Sequence, residues 1–233
     1  MPELITQPTS VTPPPAQPRQ LEIAGDGQWR FMPAPPASLL RRFPLRKPYR
    51  LYRFLADLED LFSSGKPGRE QLRIAAVLTR HLLEQSRWIA ETCPQPDAKV
   101  GWGVAFLYDE PQYPFTVQVV SWMPGESSPV HNHAAWSLVT LLGDPEIAGR
   151  EHNTFWRGQP AENPEETAVE TVSELLLYPG DLIGFTPEAI HSVRAVPADS
   201  ENTWPTFTFN VYAETDYRQR YEFDPEAGTA VLF

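Results

Sequence analysis

The chain has almost no cysteine. Cys93 is the single one in 233 residues. An internal disulfide is therefore excluded, and with it a small disulfide-stapled secreted scaffold. A lone cysteine of this kind reads as a small buried hydrophobe. Basic residues are also scarce: 19 Lys and Arg stand against 30 Asp and Glu, a formal net charge of -11. Binding nucleic acid through its phosphates needs a Lys/Arg face, which argues against such a partner here. No run of about twenty apolar residues occurs, so no membrane-spanning helix and no membrane partner are expected. The N-terminus lacks a positive segment followed by an apolar one. No signal peptide is expected, and the cytoplasm is the expected location. A monomer is the default oligomeric state.

Proline is in excess, at 26 residues. Hydrophobic residues make up 41% of the chain, enough for a sizeable core. Residues 1–37 are Pro-rich, as in Pro13-Pro14-Pro15 and Pro33-Ala34-Pro35-Pro36. They read as a tail expected to be extended or disordered. The apolar patch Trp29-Arg30-Phe31-Met32 within it is a place where the tail could dock.

Residues 38–97 read as a helical segment. Leu51, Phe54, Leu55, Leu58, Leu61 and Phe62 recur at the spacing of one helix face over 49–63, and Gly65-Lys66-Pro67-Gly68 ends that helix. Leu72, Ala75, Ala76, Leu82, Leu83 and Trp88 line a second helix over 69–91. His81 lies on it, apart from the other histidines, and reads as a surface or satisfied core residue.

From about residue 98 to 233 the pattern changes to short apolar or alternating runs with Pro and Gly turns between them. These runs are Gly103–Tyr108, Phe115–Met123, Ser137–Leu142, Glu174–Tyr178, Leu182–Phe185, Ser192–Val196 and Thr206–Tyr212. This spacing predicts a small antiparallel β-barrel or sandwich with the two helices packed on its outside. Residues 158–166 read as an acidic surface loop.

The chemistry concentrates in two stretches. The first is Pro124-Gly125-Glu126-Ser127-Ser128-Pro129-Val130-His131-Asn132-His133. On a strand, alternate side chains share a face, so His131 and His133 can form half of a metal site. The second runs from Tyr178-Pro179-Gly180-Asp181 to Glu188-Ala189-Ile190-His191: a turn, a buried strand, a second turn and a histidine. His152 is a rival ligand, expected on a strand or loop outside the pocket.

Gly125 with His131 and His133, and Gly180 with His191 eleven residues later, resemble the two motifs of the cupin superfamily. The resemblance implies a mainly β fold, a double-stranded β-helix barrel (jelly roll) with two N-terminal α-helices. Cupins commonly add a glutamate shortly after His-x-His. Ser137 and Leu138 stand there instead, which implies a three-histidine site of His131, His133 and His191.

That set is similar to the cysteine dioxygenase-like thiol dioxygenases, bacterial type. The likeness runs from about Pro44 to Pro225 through Tyr52-Arg53-Phe54-Leu55, the stretch from Phe115 to Trp136, and Tyr221-Glu222-Phe223-Asp224-Pro225. It implies Fe(II) as cofactor, a small thiol and dioxygen as substrates, and a sulfinate as product. It also matches Thr208, Asn210 and Tyr212 to the family's Ser-x-His-x-Tyr run, in which the Tyr faces the iron-bound substrate and the others hold it. Trp136 is placed at the substrate pocket. Asn210 departs from the family, because it cannot titrate near neutrality. No Cys–Tyr crosslink is expected, since Leu138 occupies the matched Cys position. The family's Arg or Gln carboxylate anchor aligns with Ala105, leaving Arg150, Arg157 and Arg194 as candidate replacements. These departures predict weak activity on free cysteine and a preference for a thiol whose far end is neutral or held by another Arg. Two other readings stay open: a metal cupin of different chemistry, such as a non-thiol dioxygenase or isomerase, and a non-enzymatic sensing or binding cupin.

Overall fold

The structure is a computed structural model and describes residues 15–63, 68–111, 113–199 and 203–233. Residues 1–14 of the Pro-rich segment, and most of the turn assigned to the end of the first helix, lie outside these. The elements in chain order are β1 (Gln20–Ile23), β2 (Arg30–Phe31), α1 (Ala37–Leu40), α2 (Leu51–Phe62), α3 (Arg69–Gln85), α4 (Trp88–Glu91), β3 (Trp102–Asp109), β4 (Phe115–Trp122), β5 (Val130–Asn132), β6 (Ser137–Leu142), β7 (Arg150–Gly158), β8 (Val169–Leu177), β9 (Leu182–Phe185), β10 (Ile190–Val196), β11 (Thr206–Ala213), β12 (Tyr221–Asp224) and β13 (Thr229–Leu232).

The strands form two sheets. A seven-stranded sheet has the order β2-β1-β9-β6-β11-β4-β3, and a six-stranded one the order β13-β12-β5-β10-β7-β8. This is the mainly β, jelly-roll architecture expected from the motifs. The sheets are open and facing rather than one closed barrel: no strand pair joins them among the described residues.

Strand alternation explains the layers. Along β11, Phe209 and Val211 are buried toward the helices, while Thr208, Asn210 and Tyr212 face the interior between the sheets. Along β4, Val117 and Val119 join the helix-side core and Gln118 and Val120 point inward. Phe54, Leu58, Leu72, Ala75, Leu78 and Leu82 supply the helical half of that core. A second cluster, including Leu21, Val139, Phe155, Ile183 and Phe185, lies between the sheets.

Two expectations need correction. Part of the segment assigned as tail is ordered: β1 pairs in parallel with β9, and Leu21 and Ile23 are fully buried. Four extended residues with two buried apolar side chains, Leu21 and Ile23, suffice for a strand when β2 and β9 on either side supply the hydrogen bonds; composition averaged over 37 residues hides them. The second helix also breaks at Ser86-Arg87, giving α3 and α4, because Ser86 leaves the helical region with φ -127° and ψ 62°.

Candidate metal centre

His131 is the middle residue of β5, and His133 follows its end. Asn132 between them turns the other way. Its amide donates to Gln219 O at 2.8 Å and accepts from Tyr221 N at 2.7 Å, which ties the strand to the C-terminal segment. β5 pairs antiparallel with β10 so that His191 sits directly across from His131. Cross-strand partners lie about 5 Å apart, so register alone brings the distant histidine to the first pair. Both motif glycines adopt left-handed backbone, φ +93° at Gly125 and +91° at Gly180. Side-chain-bearing residues take that conformation at a cost, which is why the turns carry glycine.

The ligand atoms of His131, His133 and His191 all lie within 4.8 Å of one another. His133 Nε2 and His191 Nε2 are 3.1 Å apart. Two donors about 2.1 Å from an ion at a right angle would be separated by about 3 Å, so this spacing suits adjacent positions around a metal. Each Nδ1 has an oxygen partner: Pro129 O at 3.0 Å for His131, Ser137 Oγ at 2.7 Å for His133, and Asn153 Oδ1 at 3.1 Å for His191. Such bonds leave Nε2 free for an ion. Burial, more than any neighbouring charge, holds His133 and His191 well below the ordinary histidine value, and His131 below it too. All three are thus neutral ligands near pH 7. The group fits a metal ion.

Two connected lobes of cavity meet at this cluster, of about 540 Å³ and about 250 Å³. Both are lined by His131, His133, Gln118, Tyr212 and Arg220. Tyr212 stands edge-on to His133, with ring centroids 5.1 Å apart. Its hydroxyl is bonded to Gln118, and burial pushes it above the ordinary tyrosine value. Asn210 Nδ2 donates to Thr208 Oγ1 at 3.0 Å. Thr208 and Asn210 thus face the smaller lobe and bond each other, while Gln118 takes up the tyrosine.

The other positions singled out from sequence fall as follows. Trp136 is placed away from the cavity: it stacks on Phe62 at 4.2 Å and tilts against Phe115 in the helix-side core. The turn after His133, with Ala134 at φ +49°, reverses the chain and carries Trp136 outward. Ala105 also packs toward the helices, whereas its neighbours Val104 and Phe106 line the cavity. Leu138 lies in the helix-side core, and Cys93 is half-buried beside Ile89 of α4. His81 bonds to Gln85 on α3, and His152 lies 3.6 Å from Glu174 on the outer side of β7. Arg150 lies over the Tyr178 ring, Arg157 pairs with Glu170, and Arg194 is exposed.

Sequence reasoning missed three cavity residues. Arg220 precedes β12; its buried Nε has no hydrogen-bond partner, and its guanidinium lies 4.2 Å from the Phe233 ring. Gln118 had a legible signal, a polar residue on the inward face of an otherwise apolar strand. Glu151 lies on β7, whose alternation of polar inward and polar outward residues gives no hydrophobic pattern to read. Burial pushes its carboxyl up to about 7, against the lowering effect of its hydrogen bond from Asn153.

No family profile matches the chain. Among solved structures, the chain is similar to a recombinant oxalate oxidase in complex with glycolate, at 12% identity and TM-score 0.37, over 52% of this chain and 55% of that one. It is also similar to a cupin superfamily protein from Desulfitobacterium hafniense, at 12% identity and TM-score 0.35, over 52% and 81%. A cupin 2 conserved barrel domain protein from Leptotrichia buccalis matches at 14% identity and TM-score 0.35, over 54% and 46%. The match spans little more than half the length of the oxalate oxidase chain. Likeness at this level carries no inference about chemistry, which rests on the geometry above. Two of these three solved structures are cupin proteins by name, and this chain holds between its two sheets a three-histidine group that could bind a metal ion.

Proposed function

We propose that the chain is a non-haem Fe(II)-dependent thiol dioxygenase that converts a small anionic thiol to its sulfinate with dioxygen (RSH + O2 giving RSO2H). The observation that carries this reading is a neutral three-histidine cluster, without a carboxylate in it, sharing one cavity with Tyr212 and Arg220.

His131, His133 and His191 would hold the iron, which when bound supplies the redox chemistry that joins dioxygen to sulfur. Three neutral imidazoles leave the ion's full charge uncompensated, so the site favours a thiolate over a thiol. Arg220 offers a guanidinium to a carboxylate at the far end of the substrate. It takes the place of the anchor expected at Ala105, so of the two far ends expected from sequence, neutral or held by another Arg, the second is the one proposed. Tyr212, oriented by Gln118, presents a hydroxyl that stays protonated and donates a hydrogen bond toward the reacting atoms. Phe185 packs on His133 and His191 at 5.2 and 4.5 Å and helps keep water from the inner side of the cluster.

The test is anaerobic Fe(II) loading followed by oxygen uptake with 3-mercaptopropionate, cysteine and cysteamine, with the product identified by mass spectrometry. The expected result is a sulfinate from the two carboxylate-bearing thiols and poor turnover of cysteamine. Stoichiometric iron with no uptake on any thiol would overturn the thiol reading in favour of a cupin of other chemistry. Absence of bound metal after loading would favour a non-enzymatic binding role.

A further inference from the structure

Two buried polar residues behind the histidines take no part in the chemistry above. Glu151 and Asn153 share the inward face of β7 and are 4% and 0% exposed. Asn153 Nδ2 donates to Glu151 Oε1 at 2.8 Å. Asn153 Oδ1 lies 3.1 Å from His191 Nδ1. The three side chains thus form one chain of hydrogen bonds that ends on a metal-facing imidazole.

An asparagine has one donor end and one acceptor end, and its surroundings decide which end faces which neighbour. Once ionised, as at the pH of the test below, the Glu151 carboxylate only accepts, so it takes the Nδ2 end and leaves Oδ1 for His191. That oxygen can bond only an Nδ1 that carries the imidazole proton. With the proton there, Nε2 is bare, and Nε2 is the atom that faces His133. Turning the amide round would reverse the result. Nδ2 would then require a bare Nδ1, the proton would move to Nε2, and the ligand position would be blocked. The other two histidines need no such arrangement. His131 faces a backbone carbonyl, which only accepts, and His133 faces the adaptable hydroxyl of Ser137. His191 differs in facing an amide, whose two ends are fixed relative to each other and must be held one way round.

We propose that Glu151 is a positioning residue for the metal centre: acting through Asn153, it fixes His191 as the Nδ1–H tautomer and so presents a bare Nε2 to the ion. This rests on the metal-centre reading of the three histidines.

The tautomer is read without metal, by long-range 1H–15N correlation of the imidazoles in 15N-labelled full-length protein at about pH 8, where the histidines are neutral. Loss of signals in His191→Gln assigns the residue. Metal affinity is read separately, by titrating Co(II) into the same protein and following its visible absorption. Wild type should show His191 protonated at Nδ1. Glu151→Ala should shift His191 toward the Nε2–H form and weaken Co(II) binding about 10- to 100-fold. The double variant Glu151→Ala/Asn153→Asp should restore both, because aspartate only accepts and needs no partner to orient it; a merely structural Glu151 would not be rescued this way. Glu151→Ala with wild-type tautomer and wild-type Co(II) affinity overturns the proposal while leaving the metal centre intact. If Glu151→Ala fails to fold, the double variant decides: a folded double variant with His191 at Nε2–H overturns it equally. Wild type that takes up no Co(II) overturns the metal-centre reading, and this proposal with it.

Discussion

Arg220 and Glu151 are single residues with separable effects. Replacing Arg220 with Gln removes the guanidinium from both lobes of the cavity. Loss of a charge-assisted hydrogen bond costs about 1.5–3 kcal/mol, a factor of roughly 10–100. The expected outcome is that much loss in kcat/KM for 3-mercaptopropionate, mostly in KM, with cysteamine hardly changed; oxygen-uptake kinetics on both substrates check it. Glu151 gives a pH signature in folding. Its folded value, raised to about 7 from the ordinary 4.5, means that the folded state binds the proton more tightly than the unfolded one. Its contribution is fully present below about pH 4.5 and is lost as pH rises through 7. Relative to Glu151→Gln, the wild type should lose on the order of 3 kcal/mol between those limits, read as urea midpoints across pH. Cys93 gives a third residue-scale expectation. Burial pushes its thiol up to about 11. Alkylation by iodoacetamide at neutral pH should therefore be much slower in the folded protein than in urea.

At the scale of elements, β1 and the turn before β9 brace the seven-stranded sheet. Asp181 is fully buried and accepts from Arg19 N at 2.7 Å, from Tyr178 N at 3.0 Å and from the Arg19 guanidinium. Asp181→Ala leaves the Tyr178 N–H without its acceptor and breaks the ion pair. A loss of about 3 kcal/mol is expected in equilibrium denaturation, with the metal histidines untouched. Legibility differed between elements for physical reasons. β6 and β9 were readable to the residue, because Ser137–Leu142 and Leu182–Phe185 are apolar runs bounded by turns. β7 was not, because its inward face carries Glu151 and Asn153 and its outward face carries His152 and Thr154. A strand whose buried face binds a ligand sphere has no apolar alternation to display. β1 was hidden by the prolines around it, since pairing with β9 and β2 makes those four residues a strand.

At the scale of the whole molecule, the site lies between two sheets whose contributions come from opposite sides. β5 and β10 carry the histidines, while β4 and β11 carry Gln118 and Tyr212. A metal that binds only this assembled geometry must stabilise the fold by mass action. Fe(II) or Co(II) at 100 times its Kd should contribute about 2.7 kcal/mol, seen as a rise in Tm. His191→Ala should lose stoichiometric metal and the metal-dependent rise in Tm together, while its metal-free Tm remains measurable. A metal-dependent rise that survives this substitution would place the ion elsewhere.

By itself, the sequence determined the local matters: which residues alternate along β4 and β11, where the glycine turns fall, and which three histidines have ligand spacing. These follow from periods of two and 3.6 residues and from turn chemistry, all of which act within a few neighbours in the chain. Only the tertiary structure decided what meets what. Register placed His191 opposite His131, the pairing of β12 with β5 brought Arg220 to the cavity, and the turn at Ala134 removed Trp136 from it. Contacts between residues tens of positions apart depend on how sheets pair and stack, and no local period records that.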